Sequence, residues 1–123
     1  MIRGFQLVGD GLERLIGEVE VKALEYLWMV KAYDKYPRTV REIHTKGNIN
    51  TLCSRTKLKR ELDELVTMGL IGKEVVVGRG GEKHRYWPRY DRKTAVQVLI
   101  LERYKVLLEV AHQEGVKFIE YEK

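Results

Sequence analysis

Ser54-Arg55-Thr56-Lys57-Leu58-Lys59-Arg60-Glu61-Leu62-Asp63-Glu64-Leu65-Val66-Thr67-Met68-Gly69-Leu70-Ile71 is the stretch on which the fold turns. At helical period Leu58, Leu62, Leu65 and Val66 fall on one stripe, which must face a core. Ser54 stands where a helix is capped, its hydroxyl accepting from an otherwise orphaned backbone N–H. Gly69 supplies the left-handed stop, and Leu70 folds back on Leu65 or Val66 to close the end. On the opposite face, at about 100° per residue, stand Thr56, Lys59 and Arg60, with Arg55 and Lys57 on the flanks. Four cations therefore crowd the first two turns, where the helix dipole favours anions, while Glu61, Asp63 and Glu64 come later. A local rule broken in this way often marks a functional site. An anionic partner resolves the conflict, and the DNA backbone is the commonest one. The competing reading is a solvated basic face.

Upstream, Glu18 to about Tyr33 is helical in pattern. Val21, Leu24, Leu27 and Trp28 form its apolar face, with Glu18, Glu20, Lys22 and Glu25 largely opposite. Asp34 to Arg38 is a loop, because the residue before Pro37 is pushed out of helical geometry. Thr39-Val40-Arg41-Glu42-Ile43 carries a capping box: Thr39 at N-cap, with Glu42 reaching back to its N–H. Val40 and Ile43 give this short helix its buried side, and it fades at Lys46-Gly47. Asn48 to Thr51 reads as a turn, with Leu52 or Cys53 plugging the gap between helices.

Downstream, Ile71 to Val77 is rich in β-branched residues, as a strand should be. Gly78-Arg79-Gly80-Gly81-Glu82-Lys83 reads as a glycine-rich hairpin tip, His84-Arg85-Tyr86-Trp87 as the returning strand, and Pro88 as its end. The order helix, helix, turn, basic helix, hairpin predicts a winged helix-turn-helix, mainly α with a small β-hairpin (α+β).

Behind Asp91, a further good N-cap, Ala95 to Leu101 is apolar on nearly every side, and Tyr104, Leu107, Leu108, Val110 and Ala111 continue it. One side of such a helix packs on its own domain; the other needs a second apolar surface, most simply an identical chain. Val96, Leu99, Ile100, Tyr104, Leu107, Leu108 and Ala111 are the residues expected at that homodimer interface. A helix wrapped wholly within the monomer is the competing reading. Gly115 stops the helix, and Val116 to Tyr121 would be a short closing strand or helix. The domain plan is then an N-terminal arm (1–16), a winged-helix DNA-binding domain (17–90) and a C-terminal dimerisation helix with tail (91–123). Within the arm, Phe5 to Val8 suggests a strand and Leu12 to Ile16 a turn of helix.

At 123 residues the chain fits one domain with a modest core. A formal charge of +5 and a pI near 9.3 suit a polyanionic partner. Cys53 is the only cysteine, so neither an intrachain disulfide nor a Cys-based metal site is possible, as expected of a cytoplasmic chain. No signal pattern, membrane-length apolar run or internal repeat is legible.

Geometry then divides the labour on double-stranded DNA. A helix fits the major groove, where Arg, Lys or a Thr methyl reads base edges, so Thr56 and Arg60 are the candidates for base contacts. Ser54, Arg55, Lys57 and Lys59 lie nearer the phosphates. Arg79, Lys83 and Arg85 would grip backbone or minor groove, Gly80 and Gly81 would let the hairpin approach, and His84 could touch a phosphate. Thr39 and Arg41, at the start of the shorter helix, would add phosphate contacts. An enzyme is disfavoured: His44, His84 and His112 lie far apart without carboxylate or Cys at ligand spacing, and no P-loop, dinucleotide fingerprint or nucleophile elbow is present. No cofactor and no metal are expected. The rival class is a winged-helix module that binds protein in transcription or chromosome machinery; a basic helix paired with a basic wing argues against it.

Glu18-Val19-Glu20-Val21 through Leu27-Trp28, Thr39-Val40-Arg41-Glu42-Ile43, Leu62-Asp63-Glu64-Leu65 to Gly69-Leu70-Ile71, Gly78-Arg79 and His84-Arg85-Tyr86-Trp87-Pro88 together resemble the penicillinase repressor family, over roughly Gly17 to Pro88. The resemblance implies a homodimeric transcriptional repressor with two winged-helix heads joined by C-terminal helices. The stretch from Lys46 to Cys53 is longer than that family's turn. The C-terminal half has no Asn-Phe pair, and the cysteine pair of copper-responsive relatives is absent, so neither cleavage-triggered release nor metal sensing is implied.

Overall fold

The computed structural model describes residues 11–115. Within them lie five helices and one three-stranded antiparallel sheet: α1 (Leu12–Ile16), α2 (Glu18–Met29), β1 (Arg38–Thr39), α3 (Val40–Lys46), α4 (Arg55–Thr67), β2 (Ile71–Gly78), β3 (Gly81–Pro88) and α5 (Arg92–Gln113). The strand expected around Phe5 to Val8 and the closing element at Val116 to Tyr121 fall outside the described residues.

The basic helix forms as its sequence dictates. Ser54, in extended geometry, accepts the Lys57 N–H on its hydroxyl at 3.2 Å. Leu58, Leu62 and Leu65 are completely buried, each stabilising the fold by on the order of 2 kcal/mol. At the far end Gly69 adopts φ 80°; its N–H bonds Val66 O at 2.9 Å and that of Leu70 bonds Leu65 O at 3.1 Å. These two bonds are a Schellman closure, and Leu70 itself is buried.

Helix α2 is the centre of the head. It packs against α1, α3, α4 and β3, which is why Ala23, Tyr26 and Glu20 are buried as well as Val21, Leu24 and Leu27. Glu20 was expected on the solvent side; a helix surrounded on several sides has little solvent side to offer. Leu12 and Ile16 of α1, the described end of the segment expected as an arm, belong to the common core. Ala95 and Leu99 of α5 join the same core.

Between α3 and α4 the chain needs a left-handed residue, and Asn48 supplies it at φ 61°. The gap between the helices is filled by Ile49, fully buried, not by Leu52, which is exposed, while Cys53 packs half-buried at the margin. Ile49 wins because the turn is wound on His44: the N–H groups of Ile49 and Asn50 both donate to His44 O, and His44 Nε2 reaches Cys53 O at 2.6 Å. Burial holds the Cys53 thiol above its ordinary pKa, with Lys57 pulling the other way. Such a thiol is a weak nucleophile at neutral pH.

The sheet order is β1-β3-β2, so β3 is central. The two-residue β1, unforeseen in the sequence, pairs Arg38 with Tyr86 and Thr39 with Arg85. The hairpin is tighter than expected: Gly78 pairs with Gly81 and only Arg79 and Gly80 form the loop, so Glu82 and Lys83 are strand residues. Gly81 takes φ 97°, a conformation that side chains resist. Gly72 is required for a different reason. It lies opposite Trp87, and a Cβ there would run into the indole ring.

No helix among the described residues is long and apolar enough to cross a membrane.

Candidate functional site

The first two turns of α4 project a cationic surface. Arg55, Thr56, Lys57 and Arg60 are exposed, and the three cations enter no ion pair among the described residues. A shallow concavity of about 440 Å³ runs along this face, lined by Thr56, Lys59, Arg60, Asp63, Glu64 and Thr67. Its charge is graded: basic toward the N-terminus, acidic toward the C-terminus. An incoming polyanion is therefore favoured at the N-terminal end only.

Lys59 differs from its neighbours. Its ammonium donates to Asp63 Oδ2 at 2.8 Å, one turn away. Asp63 Oδ1 accepts two further bonds, from Lys73 of β2 at 2.9 Å and from the Tyr86 hydroxyl of β3 at 2.7 Å. Burial alone would raise the Asp63 pKa; the bonds from Lys59, Tyr86 and Lys73 outweigh it and hold the carboxyl at about 2. Burial, reinforced by the adjacent carboxylate, pushes the Tyr86 phenol far above its ordinary range. Asp63 thus ties the basic helix to both long strands. The Lys59–Asp63 spacing is visible in the sequence as an i,i+4 pair. Lys73 and Tyr86, brought in by the sheet, carry no such local signal.

That carboxylate also orients the β2–β3 hairpin. Cross-strand partners share a face and alternate residues change face. Since Lys73 and Tyr86 reach Asp63, the face bearing them, with Val75, Val77, His84 and Glu82, is turned toward α4. Glu74, Arg85, Val76, Lys83 and Trp87 lie on the outer face, together with Thr39 beside Arg85. Lys83 and Arg85, expected to grip DNA backbone or minor groove, lie by strand alternation on the face turned away from α4. Arg85 is half-buried, its Nε 3.4 Å from Glu74 Oε1. His84 is half-buried, with Nε2 3.3 Å from Glu82 Oε2. Arg79, Gly80 and Gly81 form the exposed tip. Between base and tip, Val75, Val76 and Val77 are exposed, Val77 by 76%.

Thr39 caps α3, its hydroxyl accepting the Glu42 N–H at 3.2 Å. The return half of the capping box takes another form: the hydroxyl donates to Glu42 Oε1 at 3.4 Å, while the Thr39 backbone serves in β1. Arg41 is exposed on the first turn of α3. Ser54, like Thr39, already spends its hydroxyl as a cap.

On α5 two apolar stripes separate. Ala95 and Leu99 face inward and are buried, with Val96 and Val98 packed at the edge of the core. Ile100, Tyr104, Leu107 and Leu108 run along another side of the helix, centred about 140° away, and are 53%, 59%, 54% and 36% exposed. Leu99, expected at an interface between chains, is instead a core residue: its position on the helix aligns with Ala95 and not with Ile100. Ala111 is also buried, at 9% exposure.

Among the described residues no group of three His, Cys, Asp or Glu side chains is placed to hold a metal ion. No family model, curated protein or solved structure matches the chain.

Proposed function

We propose that this chain is a double-stranded DNA-binding transcriptional regulator that acts as a homodimer, its arrangement of α2, α3, α4 and the β2–β3 hairpin being a winged helix-turn-helix. The observation that carries the reading is the cluster of exposed Arg55, Thr56, Lys57 and Arg60 at the start of a helix whose opposite side is locked in the core. α4 enters the major groove N-terminus first, the end at which exposed Arg55, Lys57 and Arg60 gather. Thr56 and Arg60 then face base edges, and Arg55 and Lys57 face the backbone. Arg79 at the hairpin tip reaches the neighbouring backbone or minor groove. Lys83 and Arg85 contribute to the general field more than to contact.

The partner that joins two heads is a second copy, through Ile100, Tyr104, Leu107 and Leu108 of α5. A contiguous apolar stripe of that size is seldom left in water. A homodimeric repressor is what the likeness to the penicillinase repressors implies, and that likeness rests on the residues quoted above.

Titrating binding to random duplex DNA against salt tests the reading. Displacement of condensed counterions makes the affinity fall steeply, with a logarithmic slope of about −0.9 for each phosphate contacted. A flat response sinks it. Exposed Val75 and Val77 on the α4-facing side of the hairpin favour a second reading, a winged-helix module that binds protein. In that case duplex DNA is not retained even at low salt.

A further inference from the structure

Among the described residues, α5 joins the common core through its first half, at Ala95 and Leu99. Trp28 Nε1 donates to Tyr90 O at 2.8 Å just before the helix begins. Arg92 lies 3.3 Å from Glu25 Oε2 and 5.9 Å from the Trp28 ring centre, and Ala95 and Leu99 are sunk in the core. Farther along α5, Arg103 Nη2 donates to the Leu15 carbonyl at 2.9 Å. Leu15 belongs to α1, which is itself fixed by buried Leu12 and Ile16. Beyond Arg103, Tyr104, Leu107, Leu108 and Val110 are exposed. Arg103 is thus a brace between a rigid part of the head and the point where α5 leaves it.

We infer that Arg103 is a specificity-determining strut: by fixing the angle between α5 and the head, it sets the half-site spacing that the dimer accepts. This inference rests on the dimeric DNA-binding reading above. In a twofold dimer the two α4 helices are related only through the paired α5 helices, so any swing of a head on its own α5 changes their separation. From Leu99 to the end of α5 at Gln113 is about 21 Å of helix. A pivot of about 10° at Leu99 would displace that end by about 4 Å, comparable with the ~3.4 Å rise of one base pair. The buried pair Ala95 and Leu99 alone is a hinge. The guanidinium, held to a carbonyl by a charge-assisted bond, is what removes the freedom.

The experiment uses the full chain. Bound duplexes are first selected from a random pool, and the oligomeric state is measured by light scattering. Affinities are then compared for the selected site with its half-sites moved apart or together by one base pair. The wild type should discriminate against the altered spacings by about tenfold or more, as a rigid twofold reader of paired half-sites does. R103M should still dimerise and bind an isolated half-site as well as the wild type, yet discriminate by less than about threefold. R92M, which loosens a contact on the head side of the pivot, should keep the wild-type profile. R103A replaces R103M if the longer apolar side chain folds poorly, and all comparisons are made at a temperature where circular dichroism shows every variant folded. Equal discrimination by the wild type and the Arg103 variant overturns the strut while leaving the dimeric reading intact. A wild-type monomer, or selection of single half-sites only, overturns the dimeric reading and the strut with it.

Discussion

The Tyr86 hydroxyl donates to Asp63 Oδ1 at 2.7 Å, joining the central strand to the basic helix through a phenol that is entirely buried. Lys59 and Lys73 complete the carboxylate's shell. This one side chain fixes how far the hairpin stands from α4, and through strand alternation it determines which face of the hairpin looks at the helix.

Removing the carboxylate should therefore cost more than removing either cation. D63A strands the buried phenol without an acceptor and should lower unfolding free energy by about 1–3 kcal/mol. D63N keeps an oxygen for Tyr86 and should cost less. K59A should cost under about 1 kcal/mol, because that pair is partly exposed and screened. Urea denaturation of the three variants checks the order. D63N as damaging as D63A would mean that charge, and not the acceptor, is what matters.

Acid should expose the same group. The folded Asp63 carboxyl sits at about 2, below its ordinary 3.8, so the folded state holds the ionised form more firmly than the unfolded chain does. Its contribution is fully present above about pH 4 and is lost as pH falls from there toward 2. Stability measured across that window should fall less steeply in D63N than in the wild type. Parallel curves would remove Asp63 as the source of the acid response.

On DNA, position relative to α4 should decide the cost of losing a charge. R60A should lose about 1–3 kcal/mol and relax sequence preference at one position. R55A and K57A should each weaken binding to all sequences and reduce the salt slope by about one contact. K83A, on the outer face of the hairpin, should change affinity less than R55A. Fluorescence anisotropy on a selected site and on a scrambled one separates these outcomes. A larger loss for K83A than for R60A would mean that the hairpin's outer face, not α4, meets the duplex.

Two charges placed in the outer stripe of α5 should separate the subunits. Y104E together with L107E puts carboxylates where the proposed interface is apolar, leaving Ala95 and Leu99 in the core undisturbed. The variant should run as a folded monomer in light scattering, with near-native helix content and weakened binding to paired half-sites. Unchanged size would remove that stripe as an interface. L99E, by contrast, should unfold the head.

The ends and inner stripe of α4 were legible in the chain alone, because caps, the Gly69 stop and the 3.6-residue spacing of Leu58, Leu62 and Leu65 are local instructions. The same local logic located the hairpin between Ile71 and Pro88, the Thr39 cap and the Asp91 cap, and it marked Arg55, Thr56, Lys57 and Arg60 as exposed on the far side of the stripe. What the sequence could not decide was anything that depends on two distant segments meeting. Ile49, not Leu52, fills the turn because His44 winds the backbone around itself; Leu99 leaves the α5 surface because the head, with α1 in its core, occupies that side. The two residues of β1 are too short for any pattern and exist only because β3 offers an edge. Lys83 and Arg85 could be placed on the hairpin from the chain alone, but not on one of its faces. Their true side follows from register against Tyr86, and Tyr86 is placed by a carboxylate on another element, a choice that only the packed structure makes.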